Sequence, residues 1–379
     1  MLISMDTVVQ VKLKPSREQA KRLLETLETT NQAANYLACL AFSRKIFSRV
    51  PLQRVGYRDV RDRFPVSAQI TCLVIRKVSD AYRIDKKVLR IFRPRGSIAY
   101  DTRILSWNQK NQMVSIWVVG IGRTLIPYQA GPLQLEKLKH QQGETKLIFR
   151  GGCWYLNATV KTKEPEIENV EGFLGVDLGV ANIAVTSDHQ RVTSEVVERN
   201  RAWYHRRRQV LQSVGTKSAK RRLKQLAGRQ KRFQRDVNHR ISKELITVAK
   251  RTHRGIAMED LHGIRSRTRV KKANRDQRNN WSFFQLRFFV EYKSRAAGVL
   301  LILVNPAYTS QRCSRCGNID KRNRRSQSVF HCMACGYETN ADYNSAQNIR
   351  DLGSKGYSQQ PHGSDLRVSY KPLALARGS

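Results

Sequence analysis

Two pairs of cysteines constrain the fold more tightly than any other feature of this 379-residue sequence. Cys313 and Cys316 form one C-x-x-C pair, Cys332 and Cys335 form another, and fifteen residues separate the two pairs. Four thiolates at this spacing predict a closed tetrahedral zinc site, which is structural because no position is left for a substrate. The alternative is two disulfides or inert thiols. A glycine after each pair favours zinc, because glycine permits a tight turn around the sulfurs.

The other cysteines and the N-terminal sequence indicate the cellular compartment. The odd total of seven cysteines suits a reducing environment, and we expect the unpaired Cys39, Cys72 and Cys153 to be small core residues. The N-terminal segment MLISMDTVVQ has no apolar signal region, and no stretch is long and apolar enough to span a bilayer. We therefore expect a cytoplasmic protein without a membrane partner, associated with the nucleoid if the cell is prokaryotic.

The charge of the chain points to a polyanionic partner. Lysine and arginine number 70 against 30 acidic residues, which gives a formal net charge of +40 and a pI near 10.6. Such an excess repels itself in a folded protein unless a polyanion neutralises it, and nucleic acid is the usual one. A membrane surface is the rival partner, but neither end of the sequence carries a basic amphipathic helix.

The first half of the chain has strand patterns on both sides of a helical region. Residues 7–13 alternate like a strand, and Ser16 opens a capping box with Gln19 at the start of helical spacing that continues to about residue 90. Short strand patterns fill 97–163, where two adjacent glycines join the last two strands as a hairpin. The pattern predicts a small β-barrel that is interrupted by helices after its first strand.

The second half reads as alternating strands and helices. The apolar segments FLGVDLG, GIAMEDL and VLLILVNP predict buried strands, and IAVTSD predicts an antiparallel partner for the first. An aromatic-rich helix precedes the last strand, and we expect its Trp281, Phe283 and Phe284 to be core residues. Acidic residues 164–171 are typical of a linker, and the polar residues 354–379 of a disordered tail.

Three acidic residues occupy positions where a surface carboxylate is uncommon. Asp177 interrupts an apolar strand, Glu259 ends another, and Asp342 begins a helix just after the second cysteine pair. Burying a carboxylate is costly unless it is neutralised, and Mg²⁺ is a hard cation that prefers such oxygen ligands. Other interpretations stay open at this point: a turn at Asp177, an arginine partner for Glu259, a helix cap at Asp342, and Asp260 in place of its neighbour.

Taken together, the three positions favour a nuclease. A β-hairpin after the first acid and a strand before the second correspond to an RNase H-like fold. Two carboxylate-bound Mg²⁺ ions about 4 Å apart are the usual arrangement for phosphodiester cleavage.

Several motifs together resemble the TnpB family, transposon-encoded RNA-guided nucleases related to the type V CRISPR effectors. The matching segments are GVDLGVANIAV, the tract ending in NHRISKEL, MEDLHGIR, TSQRCSRCGN and FHCMACGYETNADYNSAQNI. They cover roughly residues 172–353. The first half fits the family only as an architecture.

The resemblance implies specific site residues. It assigns the catalytic, magnesium-binding triad to Asp177, Glu259 and Asp342, and so prefers Glu259 over Asp260. The family's zinc ligands fall on the four paired cysteines, and all seven positions are intact. The chain is modest in size for the family, which affects the length of DNA held rather than the chemistry.

The resemblance also implies an α/β multidomain fold, a guide RNA and double-stranded target DNA. The implied domains are a wedge-like β-barrel (1–15 and 91–165), a helical recognition insert (16–90), a RuvC-like nuclease domain (172–308 and 340–353), an inserted zinc ribbon (309–339) and a disordered tail (354–379). The implied function is RNA-guided cleavage of double-stranded DNA beside a short recognition motif. The alternatives are an RNA-guided binder that does not cut, and an RNA-independent transposase or resolvase-like nuclease.

The basic segments are candidate nucleic-acid contacts. Residues 201–240 contain fourteen lysines and arginines but a single acid, Asp236. A solvated helix surface is the ordinary interpretation, but charge at this density favours a groove for the guide RNA or the guide–target duplex. The predicted contacts are Arg206, Arg207, Arg208, Arg221, Arg222 and Lys224. A second basic stretch, 265–278, is expected along the DNA path, and 320–328 is either a phosphate contact or a solvated loop.

Overall fold

The computed structural model of the chain describes residues 4–167, 170–179, 181–260 and 283–358. Contacts between residues divide the chain into two units, Met1–Lys163 and Glu164–Ser379. The basic stretch 265–278 and Trp281 lie outside the described residues. None of the described helices is long and apolar enough to cross a membrane.

The first unit is built on a seven-stranded antiparallel sheet in the order β2-β6-β7-β1-β5-β4-β3. The strands are β1 Ser4–Leu13, β2 Ile98–Tyr100, β3 Leu105–Asn108, β4 Met113–Val118, β5 Gly122–Gln129, β6 Gln141–Arg150 and β7 Cys153–Lys163. The Tyr100 hydroxyl of β2 donates to the Trp117 carbonyl of β4 at 3.0 Å. This bond links the two sides of the sheet, so the sheet is a nearly closed barrel.

Alternating apolar residues explain how this sheet encloses a core. Every second residue of β7 from Trp154 to Val160 is buried, which fits the period of two that a half-buried strand requires. Gly151 and Gly152 adopt φ of 61° and 79°, a left-handed pair that suits a tight hairpin turn. The hairpin predicted between the last two strands is confirmed, with Arg150 opposite Cys153.

Helices follow the first strand, as the sequence predicts. They are α1 Arg17–Ser43, α2 Arg49–Arg63 and α3 Ala68–Ile84, and a short α4 Pro132–Leu138 lies between β5 and β6. The capping box of Ser16 and Gln19 is confirmed. The prediction that the unpaired cysteines are core residues is wrong. Cys39 is exposed because it lies off the buried stripe of α1, and Cys72 and Cys153 are partly exposed.

The second unit contains a five-stranded mixed sheet in the order β10-β9-β8-β11-β12. Its strands are β8 Phe173–Asp177, β9 Asn182–Thr186, β10 Arg191–Thr193, β11 Gly255–Glu259 and β12 Leu301–Val304. Strands β8, β11 and β12 are parallel neighbours, whereas β9 runs antiparallel to both β8 and β10. A small hairpin of β13 Val329–His331 and β14 Glu338–Asn340 stands apart from this sheet.

Helices cover both faces of the five-stranded sheet. They are α5 Glu195–Val214, α6 Lys217–Arg251, α7 Phe283–Ala297 and α8 Ala341–Ser358. Leu174 and Met258 face a core shared with α6 and α7, whereas their strand neighbours Phe173 and Ala257 pack against Ile349 of α8. The alternation along each strand therefore supplies two apolar faces, which is why these strands read as continuous apolar runs.

Two predictions from the sequence need correction, one about where the C-terminal tail begins and one about the burial of Phe284. The disordered tail predicted for 354–379 is wrong for residues 354–358, which belong to α8, and the rest of that prediction lies outside the described residues. Packing overrides the weak helix propensity there: the Tyr357 ring lies 5.7 Å from the ring of Phe173. Phe284 is 57% exposed on α7 and is not a core residue.

The close approach of α8 to β8 requires a glycine at position 175. A Cβ built on Gly175 would lie 2.1 Å from the Ala346 carbonyl oxygen, which is backbone and has little room to move. We expect Gly175→Ala to lower the free energy of unfolding by about 3 kcal/mol through overpacking. Thermal and urea unfolding would measure the loss. Gly356→Ala is the matched control, since nothing lies within 4 Å of its Cβ and the helix should be unchanged or slightly more stable. Equal stability of the two variants would contradict this account.

Candidate active site

Two of the three predicted carboxylates end adjacent parallel strands. Asp177 is the last residue of β8 and Glu259 the last residue of β11. Val176 lies opposite Met258 in the register, so each acid follows directly after a paired, buried residue. Because the carboxyl ends of parallel strands meet at one edge of a sheet, the fold brings both carboxylates to the same edge.

The third carboxylate reaches this edge from α8. Asp342 is the second residue of that helix, is 8% exposed, and its Oδ2 accepts a 2.7 Å hydrogen bond from Nδ2 of Asn182, the first residue of β9. The Oδ1 atom of Asn340 accepts from the backbone N–H groups of Asp342 and Tyr343. Asn340 therefore caps the helix, and the carboxylate of Asp342 is left for the site.

The structure gives Glu259 and Asp260 different surroundings. Thr309, which is 3% exposed, donates its hydroxyl hydrogen bond to Oε1 of Glu259. Asp260 instead forms an ion pair with Arg287 of α7 and is nearly half-exposed. The charge of Glu259, the residue that the resemblance prefers, acts on Asp177 and raises its pKa.

Burial and mutual repulsion dominate the electrostatics of the three acids. Burial, followed by repulsion from Glu259 and Asp342, raises the pKa of Asp177 to about 8, against the opposing charge of Arg324. Burial also raises the pKa of Glu259, while the Thr309 hydrogen bond and Arg324 oppose the rise. A raised carboxyl pKa means that ionisation costs folding free energy above the ordinary pKa of the group. The site therefore favours binding a proton or a cation.

Arg324 is a site residue that the sequence analysis did not single out. It lies in the loop between the cysteine pairs, and its Nη2 atom is 3.4 Å from Oδ1 of Asp342. Its charge also lowers the pKa of both Asp177 and Glu259. Nothing in the sequence distinguishes it from neighbours such as Arg322, which pairs with Asp320. The loop 320–328 thus places a cation at the carboxylates.

The four paired cysteines converge as their spacing predicts. Their sulfur atoms all lie within 4.8 Å of one another, with Sγ–Sγ distances of 3.8 Å for Cys313 and Cys335 and 3.5 Å for Cys316 and Cys332. A tetrahedron with Zn–S bonds of about 2.3 Å has edges of about 3.8 Å. Among the described residues, no other group of three or more acids, cysteines or histidines has its possible ligand atoms this close together. The ligand atoms of the three carboxylates are therefore farther apart than the four sulfurs.

The backbone around the second cysteine pair favours a thiolate at Cys332. Gly317 and Gly336 have φ of 80° and 69°, the left-handed conformation expected after each pair. Burial raises the pKa of the Cys332 thiol, but backbone N–H groups of Cys335 and Ala334 and neighbouring thiols outweigh it and lower the pKa to about 6. The cluster is compatible with a structural zinc ion.

Two buried asparagines of α8 fasten the cysteine-containing segment to the helix that carries Asp342. Asn344 Nδ2 donates to the Arg312 carbonyl at 2.7 Å, and its Oδ1 accepts from the Ser314 N–H at 3.0 Å. Asn348 Nδ2 donates to the carbonyls of Arg312 and Thr309, at 2.7 and 2.9 Å. The cysteine cluster and the carboxylate site are therefore parts of one hydrogen-bonded assembly.

The predicted nucleic-acid contacts lie on the pair of helices α5 and α6. Arg208 differs from the rest, because it is partly buried and donates to Oε1 of Gln230 at 2.9 Å, which links the two helices. The other predicted contacts are exposed: Arg206, Arg207, Arg221, Arg222 and Lys224.

Sequence comparisons match a family model within the second half of the chain and relatives over 39–62% of it. The family model described as "Cas12f1-like, TNB domain" matches residues 283–349, which include the four paired cysteines and Asp342. The chain is 33% identical over 257 residues to the CRISPR-associated endodeoxyribonuclease Cas12f1 of Sulfoacidibacillus thermotolerans (62% of this chain, 58% of the relative). It is 30% identical over 226 residues to the putative RNA-guided DNA endonuclease InsQ of Escherichia coli K12 (53% and 54%) and 35% identical over 153 residues to a TnpB-like protein of Methanocaldococcus jannaschii (39% and 53%). The resemblance to the TnpB family is confirmed.

The chain also shares a fold with solved nuclease structures. It aligns with the cryo-EM structure of a Cas12f1–sgRNA–target DNA complex at a TM-score of 0.64 and 15% identity, covering 92% of this chain and 99% of that one. A mini-RNA-guided endonuclease, CRISPR-Cas_phi3, aligns at a TM-score of 0.56 and 10% identity, covering 93% and 92%. At these identities the likeness concerns the fold alone. The chain spans 51–58% of the length of the first three curated relatives.

Proposed function

We propose that the chain is an RNA-guided DNA endonuclease that cleaves double-stranded DNA at one RuvC-like site. The observation that carries the proposal is the meeting of Asp177, Glu259 and Asp342 at one edge of the mixed sheet, with raised carboxyl pKa values at Asp177 and Glu259. The strand order β10-β9-β8-β11-β12, in which β9 runs opposite to the other four strands of this sheet, supports an RNase H-like assignment. Relatives named as endodeoxyribonucleases and as an RNA-guided DNA endonuclease support the reaction and its guide.

The residues of the site fit magnesium. Three buried or half-buried carboxylates offer the hard oxygen ligands that Mg²⁺ prefers, and the cost of ionising Asp177 is a direct reason for a cation to bind. Asp177, Glu259 and Asp342 would hold two ions. Bound Mg²⁺ would activate water for attack on the phosphodiester and stabilise charge on the leaving oxygen.

The other residues of the site orient and balance the carboxylates. Thr309 holds Glu259, and Asn182 holds Asp342, each by one hydrogen bond to a carboxylate oxygen. Arg324 places a guanidinium beside Asp342, where it suits contact with a DNA phosphate. Zinc bound by Cys313, Cys316, Cys332 and Cys335 would keep this arginine in place.

The proposed partners follow from charge and similarity. A guide RNA and its duplex with the target strand would lie along α5 and α6, where Arg206, Arg207, Arg221, Arg222 and Lys224 are exposed. The wedge-like barrel (1–15 and 91–165) and the helical insert (16–90) would read the short motif beside the target. The nuclease domain would comprise 172–308 and 340–353, with the zinc ribbon at 309–339.

A plasmid cleavage assay with and without RNA tests the proposed function. We expect the protein purified with its RNA to linearise a plasmid that carries the matching sequence, and to lose this activity when the RNA is removed. Tight binding to the matching plasmid without any cutting would instead indicate an RNA-guided regulator. Cutting that persists after RNA removal would indicate a transposase or resolvase-like nuclease.

Thr309 provides a test of how Glu259 is positioned. We expect Thr309→Val, which removes the hydroxyl without changing the shape, to lower the cleavage rate about 10- to 100-fold, the loss typical of a residue that orients a metal ligand. Thr309→Ser keeps the donor and should retain most of the activity. Single-turnover cleavage at several Mg²⁺ concentrations would measure the effect, and Thr309→Val should need more Mg²⁺. Equal rates for the valine and serine variants would contradict a positioning role.

A further inference from the structure

Helix α5 exposes a tryptophan within a basic surface. Trp203 is 47% exposed, although exposing an aromatic side chain of this size to water is unfavourable. The ring of buried Tyr204 meets it edge-on, with 5.0 Å between ring centroids and an interplanar angle of 82°. Tyr204 thus supports the indole from the protein side, while a large part of the indole remains open to a partner.

Three arginines surround this tryptophan on the same helical face. Arg199, Arg206 and Arg207 lie four residues before Trp203 and three and four residues after it, so all are its neighbours on the helix surface. All three are exposed, and within the described residues none of them forms an ion pair. Glu198, the closest acid in the helix, is already paired with Arg201. The surface therefore combines an open aromatic face with cations that have no counter-charge among the described residues.

A protein helix is the rival occupant of this face. Val196, Val210 and Val214 are also exposed, at 58%, 56% and 56%, and follow the same side of α5 as Trp203. A second copy of this chain would present the same cations, and a net charge of +40 opposes such an approach. The charge of the face therefore favours a polyanion that also carries flat apolar groups, and a nucleic acid with an unstacked base meets both requirements.

We propose that Trp203 is a stacking platform for an unpaired nucleotide of the bound RNA. Arg199, Arg206 and Arg207 bind the phosphates on either side of that nucleotide. A base in a continuous duplex has no free face for the indole, so the site distinguishes a single-stranded RNA segment from a helix. The inference rests on the proposed function, since it specifies how one face of α5 binds the RNA.

Binding of two model RNAs by the full-length protein tests the platform. The probes are a fluorescein-labelled 12-nucleotide oligouridine and a blunt RNA duplex of 12 base pairs, each titrated with protein stripped of co-purified RNA. We expect Trp203→Ala to weaken oligouridine binding roughly 5- to 100-fold, the range for loss of one base–aromatic stack, and duplex binding less than twofold. Trp203→Phe should bind oligouridine within about threefold of wild type, because phenylalanine also offers an aromatic face.

The control variant is Val210→Ala, which shortens an exposed apolar residue on the same face and should leave both affinities unchanged. Thermal unfolding of each variant separates loss of binding from loss of folding. Wild-type affinity of Trp203→Ala for oligouridine would overturn the inference, and so would a dimer in sedimentation equilibrium that Trp203→Ala and Val210→Ala both dissociate. If the wild-type protein bound neither RNA, the result would contradict the proposed function itself and not only the role of Trp203.

Discussion

Asp177→Asn is expected to reduce DNA cleavage by at least about 1,000-fold. The substitution replaces one of the three proposed metal-binding carboxylates with a neutral side chain of the same shape. Asp177 differs from the other two acids in its surroundings, since burial and repulsion from Glu259 and Asp342 raise its pKa to about 8. Single-turnover cleavage of a matched plasmid would measure the loss, and RNA binding should be unchanged because the basic face of α5 and α6 is untouched.

The same substitution should stabilise the protein in buffer without divalent cations. The folded-state pKa of Asp177 exceeds its ordinary value of 3.8, so ionisation destabilises the wild type as the pH rises from about 4 toward 8. The asparagine variant does not ionise. We therefore expect its melting temperature to exceed that of the wild type at pH 8 and the difference to vanish near pH 4. Added Mg²⁺ should raise the melting temperature of the wild type only.

Asp236→Asn is the matched control for Asp177→Asn. Asp236 is exposed on α6 and forms an i,i+4 ion pair with Arg240 at 3.0 Å. Surface pairs of this kind contribute little to stability, so cleavage should stay within about twofold of wild type. Wild-type cutting by Asp177→Asn in the presence of Mg²⁺ would show that this carboxylate is not part of the catalytic site.

Loss of zinc is expected to have the second-largest effect. Cys332→Ser removes one of the four cysteines proposed to bind zinc, and the segment between the cysteine pairs carries Arg324 to the carboxylates. Arg312, next to Cys313, is fastened through Asn344 and Asn348 to the helix that bears Asp342. We expect zinc content to fall from one ion per chain to near zero and cleavage to fall at least about 100-fold, because both attachments depend on the shape of the ribbon. Elemental analysis and single-turnover cleavage would measure the two quantities.

Cys39→Ser is the matched control for the zinc ligand. Cys39 is exposed on α1 and distant in sequence from the cluster, so zinc content and cleavage should both be unchanged. A Cys332→Ser variant that lacks zinc yet cuts at the wild-type rate would contradict the coupling between the ribbon and the carboxylates.

The spacing of residues in the sequence predicts a site when the residues that meet in the structure are also close together in the chain. Two C-x-x-C pairs specify four ligands because each pair spans a single turn, and the structure brings their sulfurs together. The carboxylates of the site are harder to predict from the sequence, because strand alternation does not show which of Glu259 and Asp260 faces the site. The structure does separate them, since Thr309 contacts the first and Arg287 the second.

Tertiary packing determines what the sequence analysis missed. Arg324 is one of several arginines in a polar loop, and packing of the cysteine-containing segment against α8 brings it beside Asp342. Asn182 and Thr309 likewise belong to the site only through hydrogen bonds to Asp342 and Glu259, which lie 160 and 50 residues away in the sequence. The end of α8 was predicted too early because glycine and serine lower helix propensity, whereas packing of Tyr357 on Phe173 compensates for it.

The most direct test of the central claim is cleavage by the purified complex of protein and RNA with Mg²⁺. The RNA that co-purifies is sequenced. Two plasmids are then compared: one carries a sequence that matches the guide part of this RNA, and in the other that sequence is scrambled. We predict that wild type linearises only the matching plasmid and that Glu259→Gln and Asp342→Asn bind it with wild-type affinity but leave it uncut. Equal cutting of both plasmids, or cutting of the matching plasmid by either variant at the wild-type rate, would contradict RNA-guided cleavage at this carboxylate site.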